Sequence, residues 1–204
     1  HGLPAAEGLT AHAGPAEAQG GLGARADKCM ACRASAAAQV FLKDVVIPAT
    51  RRLGEEGSGT ALQAQCNMFV ALGGAAIAVG IMQASLDDAI RSAGEREQFR
   101  TPLKQFQAIQ FLISQLDVEL RASRLLTWAA ADIKDRGEDA TAAIAAAKLF
   151  SADVAKHVTQ KSLRIHGGAG SGANSPSNVT TEMRALSRHT PARPTRTAPV
   201  WPDA

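Results

Sequence analysis

Three segments of this chain repeat apolar residues at three- and four-residue steps for far longer than an ordinary helix runs. In the first, Leu62, Phe69, Leu72, Ala76, Val79, Leu86 and Ile90 predict a helix over about 60–92. In the second, Phe106, Ile109, Ile113, Leu116, Leu120, Thr127, Ala130 and Ile133 predict one over about 103–135, closed by Gly137 as a C-cap. In the third, Ile144, Ala147, Ser151, Val154, Val158 and Ile165 predict one over about 139–165, stopping at "HGGAG". Helices of about 30 residues are nearly three times the usual ~11. A stripe of that length is stable only against other stripes, and short connections make neighbours antiparallel. The expected fold is therefore all-α, a long-helix up-and-down bundle, incomplete because three such helices leave room for a fourth. A composition with 46% hydrophobic but only 4% aromatic residues suits closely packed helices.

The flanks read differently. Residues 1–27 are mostly Ala, Gly and Pro and carry too little apolar bulk to offset chain entropy, so they are expected to be disordered. Residues 28–58 hold "QVFLKDVVIP", β-branched and aromatic up to a proline, which predicts a strand near 39–47. The bundle is assigned 59–170, and 171–204 is expected to be disordered. Net charge is +3, with much of the excess in arginines after residue 183, so the middle of the chain carries no nucleic-acid footprint. The longest apolar run, "MFVALGGAAIAVGIM", is about fifteen residues, short of a membrane span, and no membrane partner is expected. No charged-then-apolar signal peptide opens the chain. Cys29 and Cys32 form a lone CxxC without a second pair or a His at zinc spacing, which reads as reduced thiols and no metal site. A cytoplasmic location is the default. The first residue, His1, reads as the start of a piece and not of a whole protein.

Five stretches in order carry a more specific signal: "FLKDVVIPATRRLGEEGSG", "AVGIMQASLDDAI", "EREQFRTPLKQFQAIQF", "AAAKLFSADVAKHV" and "IHGGAG". Over about residues 28–170 they resemble the acyl-CoA dehydrogenase family, from the end of its middle β-domain through most of its C-terminal helical domain. The resemblance implies FAD as cofactor, an acyl-CoA substrate and a homo-oligomer, dimer or tetramer. It also implies a role for the ornate turn between the first two helices, which in that family reaches the FAD of a neighbouring subunit. Arg96 would meet the diphosphate with a forked, permanently charged donor. Gln98 and Phe99 would lie along the cofactor, and Gln107 would offer an amide from the next helix. Gly167 and Gly168 would let the backbone approach the adenosine end without a Cβ in the way. Arg164 stands where the family usually has Gln and could still donate hydrogen bonds.

The departures are equally definite. The family's charged residues near the acyl-CoA on the first helix are replaced by "MFVA", residues 68–71. Arg121 and Arg124 are expected on a solvated face. His157 and His166 lack a neighbouring carboxylate motif and are expected to be structural or exposed. After Gly170 the family's PVER-x-x-RDAR and YEGTS runs are missing. They can be recovered if the codons from about 171 onward are read in a shifted frame, which suggests a frame-shifted tail. The family's usual base is the Glu of YEGTS, and relatives that carry it on the first helix place it where this chain has Val70. No catalytic residue is therefore assigned. The expected function is flavin-dependent α,β-dehydrogenation of an acyl-CoA, in a piece inactive alone. Two other readings stay open: a non-catalytic helical assembly module, and an acyl-CoA oxidase or flavin monooxygenase on the same fold.

Overall fold

The structure is a computed structural model that describes residues 8–14, 23–26, 38–41 and 44–171. Three long helices dominate it: α1 (Gly59–Glu95), α2 (Gln107–Asp135) and α3 (Thr141–His166). Their contacts fix their directions. The start of α1 (Met68, Ala71, Leu72) packs with the end of α2 (Ala130, Ile133) and the start of α3 (Ala140, Ile144, Ala147). Ala78, Met82 and Leu86 meet Leu116 and Leu120 of α2 and Ala155 and Val158 of α3 at mid-height. The end of α1 (Ala89, Ala93) meets Ile109 and Ile113 of α2 and Ile165 of α3. The chain thus runs up, down and up, as the short connections imply.

The α2–α3 connection closes as the sequence indicates. Gly137 takes a left-handed φ of 77° just after α2. Its N–H donates to the Lys134 carbonyl at 3.0 Å, and Glu138 N–H reaches the Ile133 carbonyl at 3.2 Å. This paired arrangement satisfies the carbonyls that a helix end leaves over. Asp139 then accepts from Thr141 N–H at 3.0 Å, covering one orphan donor at the start of α3.

The second and third stripes bury the residues expected of them: Leu116, Leu120, Thr127 and Ala130 on α2, and Ile144, Ala147, Ser151, Val158 and Ile165 on α3. The first does not. Phe69, Ala76 and Ile90 are exposed, and the buried line is Ala75, Ala78, Met82, Ser85, Leu86, Ala89 and Ala93. From Gly59 to Leu86 this helix has no charged residue, so no polar face sets its rotation, and small side chains win the inner positions because they let helices approach. The same uncharged stretch makes α1 the one helix, among the described residues, long and apolar enough to cross a membrane. That corrects the expectation that no stretch reaches such a length: uncharged Gln and Asn interrupt an apolar run without offsetting it.

The strand expected near 39–47 is shorter. β3 spans Ala38–Phe41 and pairs antiparallel with β2 (Gly23–Ala26). Residues 44–48 form no strand, and Asp44 sits at φ 51°, a left-handed conformation that interrupts extended backbone. The stretch 1–27, expected to be disordered, contains β2 and also β1 (Ala11–His12), which pairs with β4 (Arg52–Leu53). Backbone pairing needs little apolar bulk, which is why composition missed it. Beside β1, Gly59 N–H donates to the Leu9 carbonyl at 2.7 Å, and a Cβ on Gly59 would lie 2.6 Å from that oxygen. Cys29, Cys32 and residues 172–204 lie outside the described residues. Among the described residues no three His, Cys, Asp or Glu gather as metal ligands.

Candidate functional site

The chain between α1 and α2 is a tight hairpin. β5 (Glu97–Gln98) pairs antiparallel with β6 (Thr101–Pro102), so only Phe99 and Arg100 form the turn. Both have positive φ, 53° and 62°. Two-residue hairpins with positive φ at both centres match strand twist best, but Asn-Gly is the usual pair there. A bulky aromatic and an arginine in that conformation are uncommon and carry local steric strain. Phe99 is 91% exposed, an aromatic ring held out from the tip.

Arg96 lies at the root of this hairpin, just past the end of α1. Its backbone N–H caps α1 by donating to the Ser92 carbonyl at 2.9 Å. Its side chain crosses to the end of α3, where Nη1 donates to the His166 carbonyl at 2.7 Å. A cation is favoured at that helix end, where carbonyls lack partners. Gly167 follows at φ 62° and ψ −140°. A Cβ there would stand 3.0 Å from Arg96 Nη1. A side chain at 167 would crowd the guanidinium, which would have to give by a few tenths of an ångström.

The other predicted residues do not join this contact. Gln98 is exposed and donates to the neighbouring Glu97 carbonyl at 2.8 Å. Gln107 is exposed at the first position of α2, and Arg164 is exposed in the last turn of α3. Gly168 sits in the single tight turn Gly167–Ser171. The structure therefore brings together Arg96 and Gly167, and places Phe99 and Gln98 on the projecting hairpin.

Both histidines take structural places, as expected, but each finds a carboxylate that its sequence neighbourhood does not show. His166 is buried, with Nε2 3.0 Å from Asp88 Oδ2 of α1 and Nδ1 2.9 Å from the Ser162 carbonyl. Asp88 also pairs with Arg91. His157 Nδ1 lies 2.6 Å from Glu119 Oε2 of α2. Both partners come from other helices, 78 and 38 residues away, where no spacing rule looks. Arg121 stays exposed beside Asp117, as expected, but Arg124 turns inward, half-buried, and donates to Gln83 Oε1 of α1 at 2.5 Å.

A long-helix bundle with an arginine at the root of a hairpin lodged against a Gly-Gly helix end defines the class; comparison with known proteins defines the family. The family model described as acyl-CoA dehydrogenase, C-terminal domain, matches residues 57–196. Short-chain specific acyl-CoA dehydrogenase, mitochondrial, of Rattus norvegicus is 38% identical over 149 residues, covering 73% of this chain and 36% of the rat protein. Subunit CarC of the caffeyl-CoA reductase–Etf complex of Acetobacterium woodii is 34% identical over 135 residues, 66% of this chain and 36% of that one. The solved butyryl-CoA dehydrogenase of Megasphaera elsdenii superposes with a TM-score of 0.87 at 29% identity, covering 92% of this chain and 49% of that one. This chain belongs to the acyl-CoA dehydrogenase family. It spans 36% to 49% of the length of these relatives. The family match runs past Gly170, where the sequence motifs alone placed its end.

Proposed function

We propose that these residues are the helical part of an FAD-dependent enzyme that desaturates an acyl-CoA thioester between its α and β carbons. The observation that carries this reading is the Arg96 guanidinium lying against side-chain-free Gly167, with Phe99 projecting from the same hairpin. A diphosphate suits that corner: it takes charge-assisted bonds from a forked cation and close approach to bare backbone. Arg96, Gly167 and Gly168 would hold the phosphate and adenosine end, Phe99 would offer an apolar face, and Gln98, Gln107 and Arg164 would add donors. FAD, when bound, supplies the acceptor for the hydride leaving the acyl β-carbon. At Val70, where the family resemblance implies a carboxylate in some relatives, this chain has an exposed valine, so no base is assigned. The 204-residue chain is expected to show no dehydrogenation alone.

Assembly into a homo-oligomer belongs to the same proposal. Phe111, Val118, Leu125 and Trp128 repeat along one face of α2 and are all exposed, more apolar surface than a helix facing water usually carries. The frame-shifted reading of the tail also remains part of it, and the source DNA across codons 165–204 decides that point.

The test is flavin affinity. In a complete, frame-corrected protein Arg96→Ala should weaken FAD binding by roughly ten- to a hundred-fold, the worth of a charge-assisted hydrogen bond, whereas these 204 residues alone should bind FAD weakly at most. Arg96→Lys should recover only part, because an ammonium has no fork. Unchanged affinity in Arg96→Ala defeats the reading and favours a helical assembly module. Oxygen uptake driven by acyl-CoA would instead point to an oxidase or monooxygenase.

A further inference from the structure

Among the described residues His166 is the only buried histidine, and it holds three partners at once. The Ser162 carbonyl can only accept, so Nδ1 carries a proton and donates to it at 2.9 Å. Nε2 faces Asp88 Oδ2 at 3.0 Å, so the ring is tied at one end to its own helix and at the other to α1. The backbone carbonyl of the same residue receives Arg96 Nη1 at 2.7 Å. Asp88 is in turn anchored by Arg91 on the next turn of α1. The charged groups facing the ring are thus Asp88 and, behind it, Arg91; Arg96 meets the backbone.

Last turns of helices fray. A carbonyl in a frayed turn is a poor anchor for a long side chain, and an arginine has much rotamer entropy to lose when it is held. Here the ring fastens the turn, the turn fixes the carbonyl, and the carbonyl orients the guanidinium before any ligand arrives. Ordering done in advance does not weaken binding later. We propose that Asp88 and His166 are positioning residues that pre-orient Arg96 toward a diphosphate. This rests on the cofactor reading above.

The experiment uses the full chain, with ADP and adenosine as probes, followed at the Arg96 Nε–Hε signal by NMR; Arg96→Lys identifies that signal. In the ligand-free protein Arg96 Nε should be ordered while exposed Arg164 Nε is not. Equal mobility of the two overturns the proposal without any variant. Asp88→Ala and His166→Leu should each lower ADP affinity about tenfold with adenosine little changed, because only ADP has the diphosphate. Asp88→Asn keeps a hydrogen-bonding partner at Nε2, since an amide can both donate and accept, and should restore most of the ADP preference. If ADP and adenosine affinity fall together in Asp88→Ala, the pair is only structural and the proposal fails. If Arg96→Ala loses the preference while Asp88→Ala and His166→Leu keep it, positioning fails and the cofactor reading stands. If Arg96→Ala keeps the preference, or wild type shows no response to millimolar ADP, both fail.

Discussion

The corner where α1 and α3 end, and the outer faces of α1 and α2, are built from opposite materials. At the corner, polar groups from residues as far apart as Asp88 and His166 find partners within this chain. On the outer faces, Phe69, Val70 and Ile77 of α1 and Phe111, Val118, Leu125 and Trp128 of α2 stand exposed. A hydrogen-bonded corner is complete when its donors meet acceptors; an apolar face is complete only when something covers it. The first region can be understood from these residues alone, and the second points beyond them.

The largest expected effect tests the inside against the outside. Leu116 is 0% exposed, and Leu116→Ala should cost ~2–5 kcal/mol in urea unfolding, as a cavity in a shared core does. Leu125 is 63% exposed, and Leu125→Ala should stay within ~0.5 kcal/mol in dilute solution. Equal losses at the two positions would erase the distinction. Next comes Gly167→Ala, which puts a Cβ at a positive φ and against Arg96. It should destabilise by ~1–2 kcal/mol and disorder the Arg96 side chain by NMR. A neutral result would mean that the corner is looser than drawn. The outer face is tested by Phe111→Ser combined with Trp128→Ser, which should lower self-association in sedimentation while leaving helix content by circular dichroism unchanged. Unaltered protein that sediments as a monomer at roughly tens of micromolar would break the comparison. The smallest effect lies at Asp139, whose carboxyl is held below its ordinary value by the Thr141 hydroxyl and backbone N–H. A depressed folded value means the stabilisation is present above the unfolded value, ~3.9, and is lost as pH falls through the folded one. The wild-type advantage over Asp139→Asn in melting temperature should therefore hold at neutral pH and vanish only in acid below about pH 4.

The same contrast explains what the sequence could show. α2 and α3 were legible because exposed charged residues such as Arg121, Asp132 and Asp153 fix which way each helix faces. The existence of α1 was equally plain, but its rotation was not: apolar residues lie on both sides, and the large side chains Phe69 and Ile90 fall on the uncovered face. The covered face is mostly alanine, which burial uses and periodicity overlooks. At the candidate site, Arg96 and the Gly pair were visible as local motifs, and the structure sets Arg96 against Gly167. The Asp88–His166 tie was not visible, because it depends on two helix ends meeting. The one available hint was a histidine immediately before the Gly pair.

The turn at Phe99 and Arg100 has a consequence for anyone trying to improve this protein. Non-glycine residues in the left-handed region each carry ~1–2 kcal/mol of steric strain, and Asn-Gly would relieve it at the same two-residue hairpin. A screen that scores only resistance to heat would select that pair early. In doing so it would remove the projecting ring and the arginine beside it, so a hardier variant could emerge from selection already stripped of the side chains that the hairpin holds out.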